Sequence, residues 1–185
     1  MKDWTLYADL KPELLITQEE LHARVAEMGA QITRDYQGEG IVAVCILKGA
    51  AVFFTDLIRS IDLPLSIDFM ATSSYGNSTQ SSGVVRINKD LDKDVTGKHV
   101  LVVEDIIDSG LTLSFLRENL LSRGVKSLRI CTLLDKPERR KVALKVDYKG
   151  FDIPDEFVVG YGLDYAEKYR NLPDIGVLRP EIYAK

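Results

Sequence analysis

The chain has 185 residues, 45% of them apolar and 28% charged, with 13 glycines and only 6 prolines. At roughly 100–200 residues per domain it is one globular unit, able to bury on the order of 70% of its unfolded surface without disulfides or a structural metal. Disordered, collagen-like and disulfide-stapled classes are thereby excluded. A balance of 24 basic against 28 acidic residues, net −4, argues against broad electrostatic binding of nucleic acid. It leaves room for a local basic pocket.

The longest apolar run, Ile41 to Leu47, is seven residues, against roughly 20 for a bilayer span. The N-terminus lacks the apolar stretch of a signal peptide, so the chain is expected to be soluble and cytoplasmic. Cys45 and Cys131 sit in apolar, strand-like segments and read as buried thiols.

In chain order, the first strong element is a helix from about Thr17 to Tyr36. Thr17 and Glu20 have capping-box spacing, and Leu21, Val25, Met28 and Ile32 recur on one face. Ile41 to Leu47 has the length and continuity of a strand buried on both faces. Lys48-Gly49 breaks it, and Ala50 to Ile61 reads as a helix. Leu65, Ile67 and Phe69 alternate with Ser66 and Asp68, which predicts a strand with one wetter face. Ser73 to Gly83 is small and polar apart from Tyr75, and Arg86 and Lys89 follow in a returning strand. A hairpin with a mobile tip over about 72–86 is the simplest account, and a surface loop without a role fits the same residue types.

His99 to Val103 predicts a further buried strand, ending in Glu104-Asp105-Ile-Ile-Asp108-Ser-Gly-Leu-Thr112. A helix follows, with Leu113, Leu116 and Leu120 on one face. Leu128 to Leu134 and Phe157 to Val159 are read as strands. Strands alternating with helices predict an α/β fold with a mainly parallel sheet, in which ligands gather beyond the carboxyl ends of the strands.

The unusual residues fall at those ends. Strand, Gly-containing loop, the hydroxyls of Ser109 and Thr112 and a helix start together make an anion site, although Ser-Gly-x-Thr also serves as an ordinary helix start. Glu104, Asp105 and Asp108 cluster at the end of an apolar strand, where carboxylates are costly unless a cation or a row of hydroxyls engages them. Sugar hydroxyls, Mg²⁺ or a cationic reaction centre would do so. Neither a nucleotide P-loop nor a dinucleotide glycine motif is present, and His22 and His99 neighbour no nucleophile or zinc motif.

Val100 to Thr112 resembles the signature of phosphoribosyltransferases that use phosphoribosyl pyrophosphate. Leu47-Lys48-Gly49, Ser74-Tyr75, Leu134-Asp-Lys136, Phe157-Val-Val-Gly-Tyr-Gly-Leu-Asp164 and Tyr169-Arg170 follow the order of the hypoxanthine-guanine family, from about residue 5 to the C-terminus. The resemblance implies the type I phosphoribosyltransferase fold. That fold is a twisted, mainly parallel sheet flanked by helices in one domain over 1–185. A small hood would come from parts of the N-terminal segment and about 150–185.

It further implies transfer of a 5-phosphoribosyl group to hypoxanthine or guanine in purine salvage, with Mg²⁺. By the same resemblance Glu104 and Asp105 would hold ribose hydroxyls directly or through the metal, and Asp108 would be the general acid/base. Residues Asp108, Ser109, Gly110, Leu111 and Thr112 would cradle the 5′-phosphate, while Lys48, Gly49 and Arg170 would face pyrophosphate. The resemblance also implies that the Lys48-Gly49 loop carries a non-proline cis peptide, as it often does in the family. Lys136, Phe157, Val158 and Asp164 would form the purine pocket, with Asp164 a second Mg²⁺ contact or a contact to an exocyclic amine, and Ser74-Tyr75 the closing flap. Ala71-Thr72-Ser73 departs from relatives that carry basic residues there. A xanthine-preferring enzyme and an RNA-binding regulator of the same fold remain alternatives, and a homodimer or homotetramer is implied.

Overall fold

The structure, a computed structural model, describes residues 4–74 and 85–184. Tyr75 and most of the expected flap therefore lie outside the described residues, as does any account of the Ser74 side chain. A short 3₁₀ turn, Trp4–Asp9, leads into β1 (Leu10–Ile16), α1 (Gln18–Asp35), β2 (Ile41–Leu47), α2 (Ala51–Arg59) and β3 (Leu65–Ser74). Then come β4 (Val85–Lys89), β5 (His99–Ile107), α3 (Leu111–Leu121), β6 (Ser127–Asp135), β7 (Tyr148–Asp152), β8 (Val158–Val159), β9 (Ile175–Leu178) and α4 (Pro180–Tyr183). No helix among the described residues is long and apolar enough to cross a membrane.

The main sheet has the order β4-β3-β2-β5-β6-β7, parallel throughout except for the antiparallel edge strand β4. β2 is apolar along its length because both faces are covered. Ala43 and Cys45 pack with Leu21, Met28, Phe53 and Leu57 of α1 and α2, while Val42, Val44 and Ile46 pack with Leu113, Leu116 and Leu120 of α3. The N-terminus of α1 carries the predicted capping box: Thr17 Oγ1 accepts from the Glu20 amide, and the Glu20 carboxylate accepts from the Thr17 amide.

Two expectations need correction. In β3 it is Asp68 that is buried and Ile67 that is 44% exposed. The buried carboxylate is satisfied: Asp68 Oδ2 accepts from the amides of Asp92 (2.9 Å) and Lys93 (3.3 Å), and Lys89 stands 3.9 Å from Oδ1. The strand expected at Phe157–Val159 is β8, Val158–Val159, and it lies in a separate antiparallel sheet of order β1-β9-β8. β5 also runs past Val103 to Ile107, so Glu104 and Asp105 lie within the strand.

Candidate active site

β2, β5 and β6 end on one side of the main sheet, and the loops that follow them converge there. β5 sits between the other two and presents Glu104 and Asp105, both partly buried. Burial drives both carboxyls above their ordinary range, and the neighbouring charge of Asp105 pushes Glu104 furthest. Two carboxylates held this close in poor solvent favour any cation or hydroxyl donor that relieves them.

The turn after β2 comes within reach of this pair. The Leu47–Lys48 peptide is cis, and a Cβ on Gly49 would lie 1.6 Å from Asp105 Oδ2. After β5 the chain turns through Asp108, Ser109 and Gly110, which caps α3 with φ +80°. That angle suits glycine. Ser114 is the first α3 residue to bond back, to Gly110 O at 2.9 Å, so the amides of residues 111–113 have no acceptor within the helix. No acid stands in the first turn and no side chain caps it. The Leu111 amide reaches Ser109 Oγ at 3.4 Å, and the amides of residues 112 and 113 together with the helix dipole form a cradle for an anion.

Beyond β6, the Lys136 amide donates to Ile107 O (3.0 Å), which fixes the lysine beside the end of β5. Its ammonium, on a side chain only 7% exposed, lies 3.5 Å from Asp108 Oδ1 and 3.7 Å from Asp155 Oδ1. Arg139 holds Asp155 in turn, at 3.2 Å. Phe157 is partly exposed and stacks on Tyr183, centroids 4.9 Å apart and planes 26° from parallel. Asp164 is clasped by Arg170 at 2.8 Å and accepts from the Glu167 amide at 2.9 Å. Lys48 reaches Glu167 at 3.2 Å, and Arg170 reaches it at 3.4 Å.

Two adjoining cavities result. One, of about 350 Å³, is lined by Gly49, Thr72, Glu104 and the 108–112 loop. The other, of about 280 Å³, is lined by Lys136, Phe157, Val158 and Asp164. Asp105, Ile106 and Asp108 line both. The expected residues therefore fall into one arrangement, except Lys48 and Arg170, which line neither of these cavities and meet at Glu167. Among the described residues no three His, Cys, Asp or Glu are placed to hold one ion. Glu104 and Asp105 on one side and Asp164 on the other are separate donors, which suits a Mg²⁺ bound mainly through substrate oxygens rather than a protein cage.

Sequence reasoning missed Thr72, Asp155 and Glu167. Thr72 fell within the expected hairpin over about 72–86, and no local spacing singles out Asp155 or Glu167.

A family model described as "Phosphoribosyl transferase domain" matches residues 17–166. The chain belongs to the phosphoribosyltransferase family. This phosphoribosyltransferase is 57% identical, over 92% of its length and 95% of the relative's, to the hypoxanthine-guanine phosphoribosyltransferase of Bacillus subtilis. It is 54% identical to that of Mycobacterium bovis, over 95% of this chain and 89% of the relative. It also superposes on the crystal structure of a hypoxanthine phosphoribosyltransferase from Staphylococcus aureus with TM-score 0.96 and 54% identity over the whole of both chains. The type I fold expected from the sequence is the fold observed.

Proposed function

We propose that the chain transfers the 5-phosphoribosyl group of phosphoribosyl pyrophosphate to N9 of hypoxanthine or guanine, giving IMP or GMP and pyrophosphate. The observation that carries this reading is the pair of cavities sharing Asp105, Ile106 and Asp108, one built around an anion cradle and the other around a buried lysine and an aromatic face. Supported by these features, the 5′-phosphate takes the amides and hydroxyls of residues 108–112. The ribose hydroxyls meet Glu104 and Asp105. The purine lies against the free side of Phe157, with Val158 beside it. Lys136 has only donors to offer and so favours a 6-oxo over a 6-amino group.

In the reaction N9 attacks C1′ as the bond from C1′ to pyrophosphate breaks, the electron pair leaving with pyrophosphate and C1′ inverting. Asp108, beside the purine, accepts the ring proton, and the nearby carboxylates offset the positive charge that develops on the ribosyl centre. Gly49, Lys48 and Arg170 receive the departing pyrophosphate. Mg²⁺ held by Glu104 and Asp105, with Asp164 on the pyrophosphate side, would supply neutralisation of the leaving group. The small sheet β1-β9-β8 forms the hood over the purine, and Ser74-Tyr75 the flap that keeps water from the ribosyl centre. The enzyme works in the cytoplasm as a dimer or tetramer, which sedimentation would establish.

The test is an ultraviolet assay with phosphoribosyl pyrophosphate and Mg²⁺, run in parallel on guanine, hypoxanthine, xanthine, adenine and uracil. Turnover of guanine or hypoxanthine is expected to lead, and the ranking places xanthine. Silence on all five from folded protein that still binds phosphoribosyl pyrophosphate would overturn the proposal. The RNA-binding alternative is not favoured, since the curated relatives at this identity are named as enzymes.

A further inference from the structure

The segment following β6 does more than deliver Lys136. It wraps the outer side of the anion cradle, and one side chain in it has no role in the chemistry described so far. Arg140 is largely buried, 17% exposed, and one guanidinium nitrogen, Nη2, is paired with the carboxylate of Asp135, itself 8% exposed. The other, Nη1, is buried without any hydrogen-bond partner. A guanidinium cannot shed its charge, so this nitrogen stays a charged donor out of water.

Its position relates it to the cradle. A Cβ on Gly110 would lie 3.1 Å from Arg140 Cδ and 3.2 Å from Nη1. The guanidinium thus packs directly behind the glycine that opens α3. The next residue ties the same two segments together, because the Lys141 amide donates to Ser109 O at 2.9 Å. On the outer side Arg140 lines a cavity with Ser114, Arg117 and Lys145 and with no carboxylate. Among the described residues the acid that engages Arg140 is Asp135, which Lys149 also approaches at 4.0 Å.

We infer that Arg140 is a positioning residue for the phosphate cradle: anchored on Asp135 and packed behind Gly110, it holds the 108–112 loop in its anion-binding form and adds fixed positive charge behind it. Arg140 does not touch the ligand. It acts through the loop, and a phosphate seated there faces the charge that Nη1 leaves unmatched. The inference rests on the reading that residues 108–112 take the 5′-phosphate. It predicts a selective effect, since the purine meets Lys136 and Phe157 and does not depend on that charge.

The experiment compares Arg140→Met and Arg140→Lys with the parent enzyme, measuring KM for phosphoribosyl pyrophosphate and for hypoxanthine separately, with melting temperature as a control. Arg140→Met is expected to raise KM for phosphoribosyl pyrophosphate about tenfold while leaving KM for hypoxanthine within about twofold. Arg140→Lys, which keeps charge but loses the fork, should fall between the two. A purely structural role predicts a lower melting temperature with both KM values moving together, and that pattern overturns the inference, as does no change in either. If the methionine variant does not fold, the lysine variant decides alone: an unchanged KM for phosphoribosyl pyrophosphate refutes the role. Absence of phosphoribosyl transfer by the parent enzyme would instead count against the underlying function.

Discussion

Gly49 and Asp105 stand so close that a single methyl group on the glycine would occupy the place of the carboxylate oxygen, 1.6 Å from where its Cβ would be. The turn after β2 and the acid pair of β5 are therefore built against each other. Gly49→Ala must displace either the turn or Asp105. Because the clash is with a side chain at the sheet's end rather than in its core, the loss should appear mainly in activity. We expect kcat/KM to fall at least about a hundredfold, near 3 kcal/mol of transition-state stabilisation, with melting shifted by only a few degrees. A variant with parental turnover would show that the two elements are free to separate.

Asp108 and Lys136 divide the work on the purine. Asp108→Asn keeps the shape of the cradle but removes the charge and the basicity, so kcat should drop on the order of 10²–10⁴-fold with little change in either KM. Lys136→Ala should raise KM for hypoxanthine and narrow the preference for 6-oxo over 6-amino purines. Steady-state kinetics with hypoxanthine and adenine separates the two outcomes. Equal losses in kcat and binding for the asparagine variant would remove Asp108 from the proton transfer.

Glu167 engages both Lys48 and Arg170 at 3.2–3.4 Å, and those are the cations assigned to pyrophosphate. The Glu167 side chain is exposed, so solvent screens these contacts and an arriving anion displaces them easily. Glu167→Gln should then tighten product inhibition by pyrophosphate by a factor of about two to five, with the larger effect at low salt. Inhibition constants that do not move would mean pyrophosphate settles without meeting this carboxylate.

Base lability is a further expectation. Tyr169 is buried and its hydroxyl donates to Asp9 at 2.7 Å, and burial first, then that carboxylate, raises its pKa from 10.0 to about 12. The folded state therefore favours the neutral phenol. Its contribution is complete below pH 10 and is lost between pH 10 and 12, as the unfolded chain ionises before the folded one. Denaturant melts of the parent and Tyr169→Phe across that window should converge as pH rises. Parallel curves would show that Tyr169 does not carry the effect.

Much of this site was legible because its chemistry violates its surroundings. Carboxylates at Glu104 and Asp105 ending an apolar strand, and hydroxyls with glycine opening a helix, stand out in any reading of the chain. The α1 cap and the two-sided burial of β2 were equally plain, since local spacing determines them. What stayed hidden depends on partners distant in sequence. Asp68 reads as a surface residue until the 92–93 turn brings amides to it. Arg140 sits in a run of charges, Lys136-Pro-Glu-Arg-Arg-Lys141, that looks solvated until Gly110 closes over it. β1 carries Pro12 and β9 has only four residues, so neither shows a clear strand period.

The two cysteines have a practical consequence. Cys45 on β2 and Cys131 on β6 flank β5, each in register with Val103, and both are fully enclosed and unpaired. Burial lifts the Cys45 thiol to about 12 and Cys131 also well above its usual value, so neither offers a thiolate to a reagent while the sheet is intact. Alkylation can then proceed only in molecules whose sheet has parted. The rate at which iodoacetamide labels this chain becomes a clock for opening of the whole parallel sheet, with no engineered probe, and a bound nucleotide that holds the strand ends together should slow it.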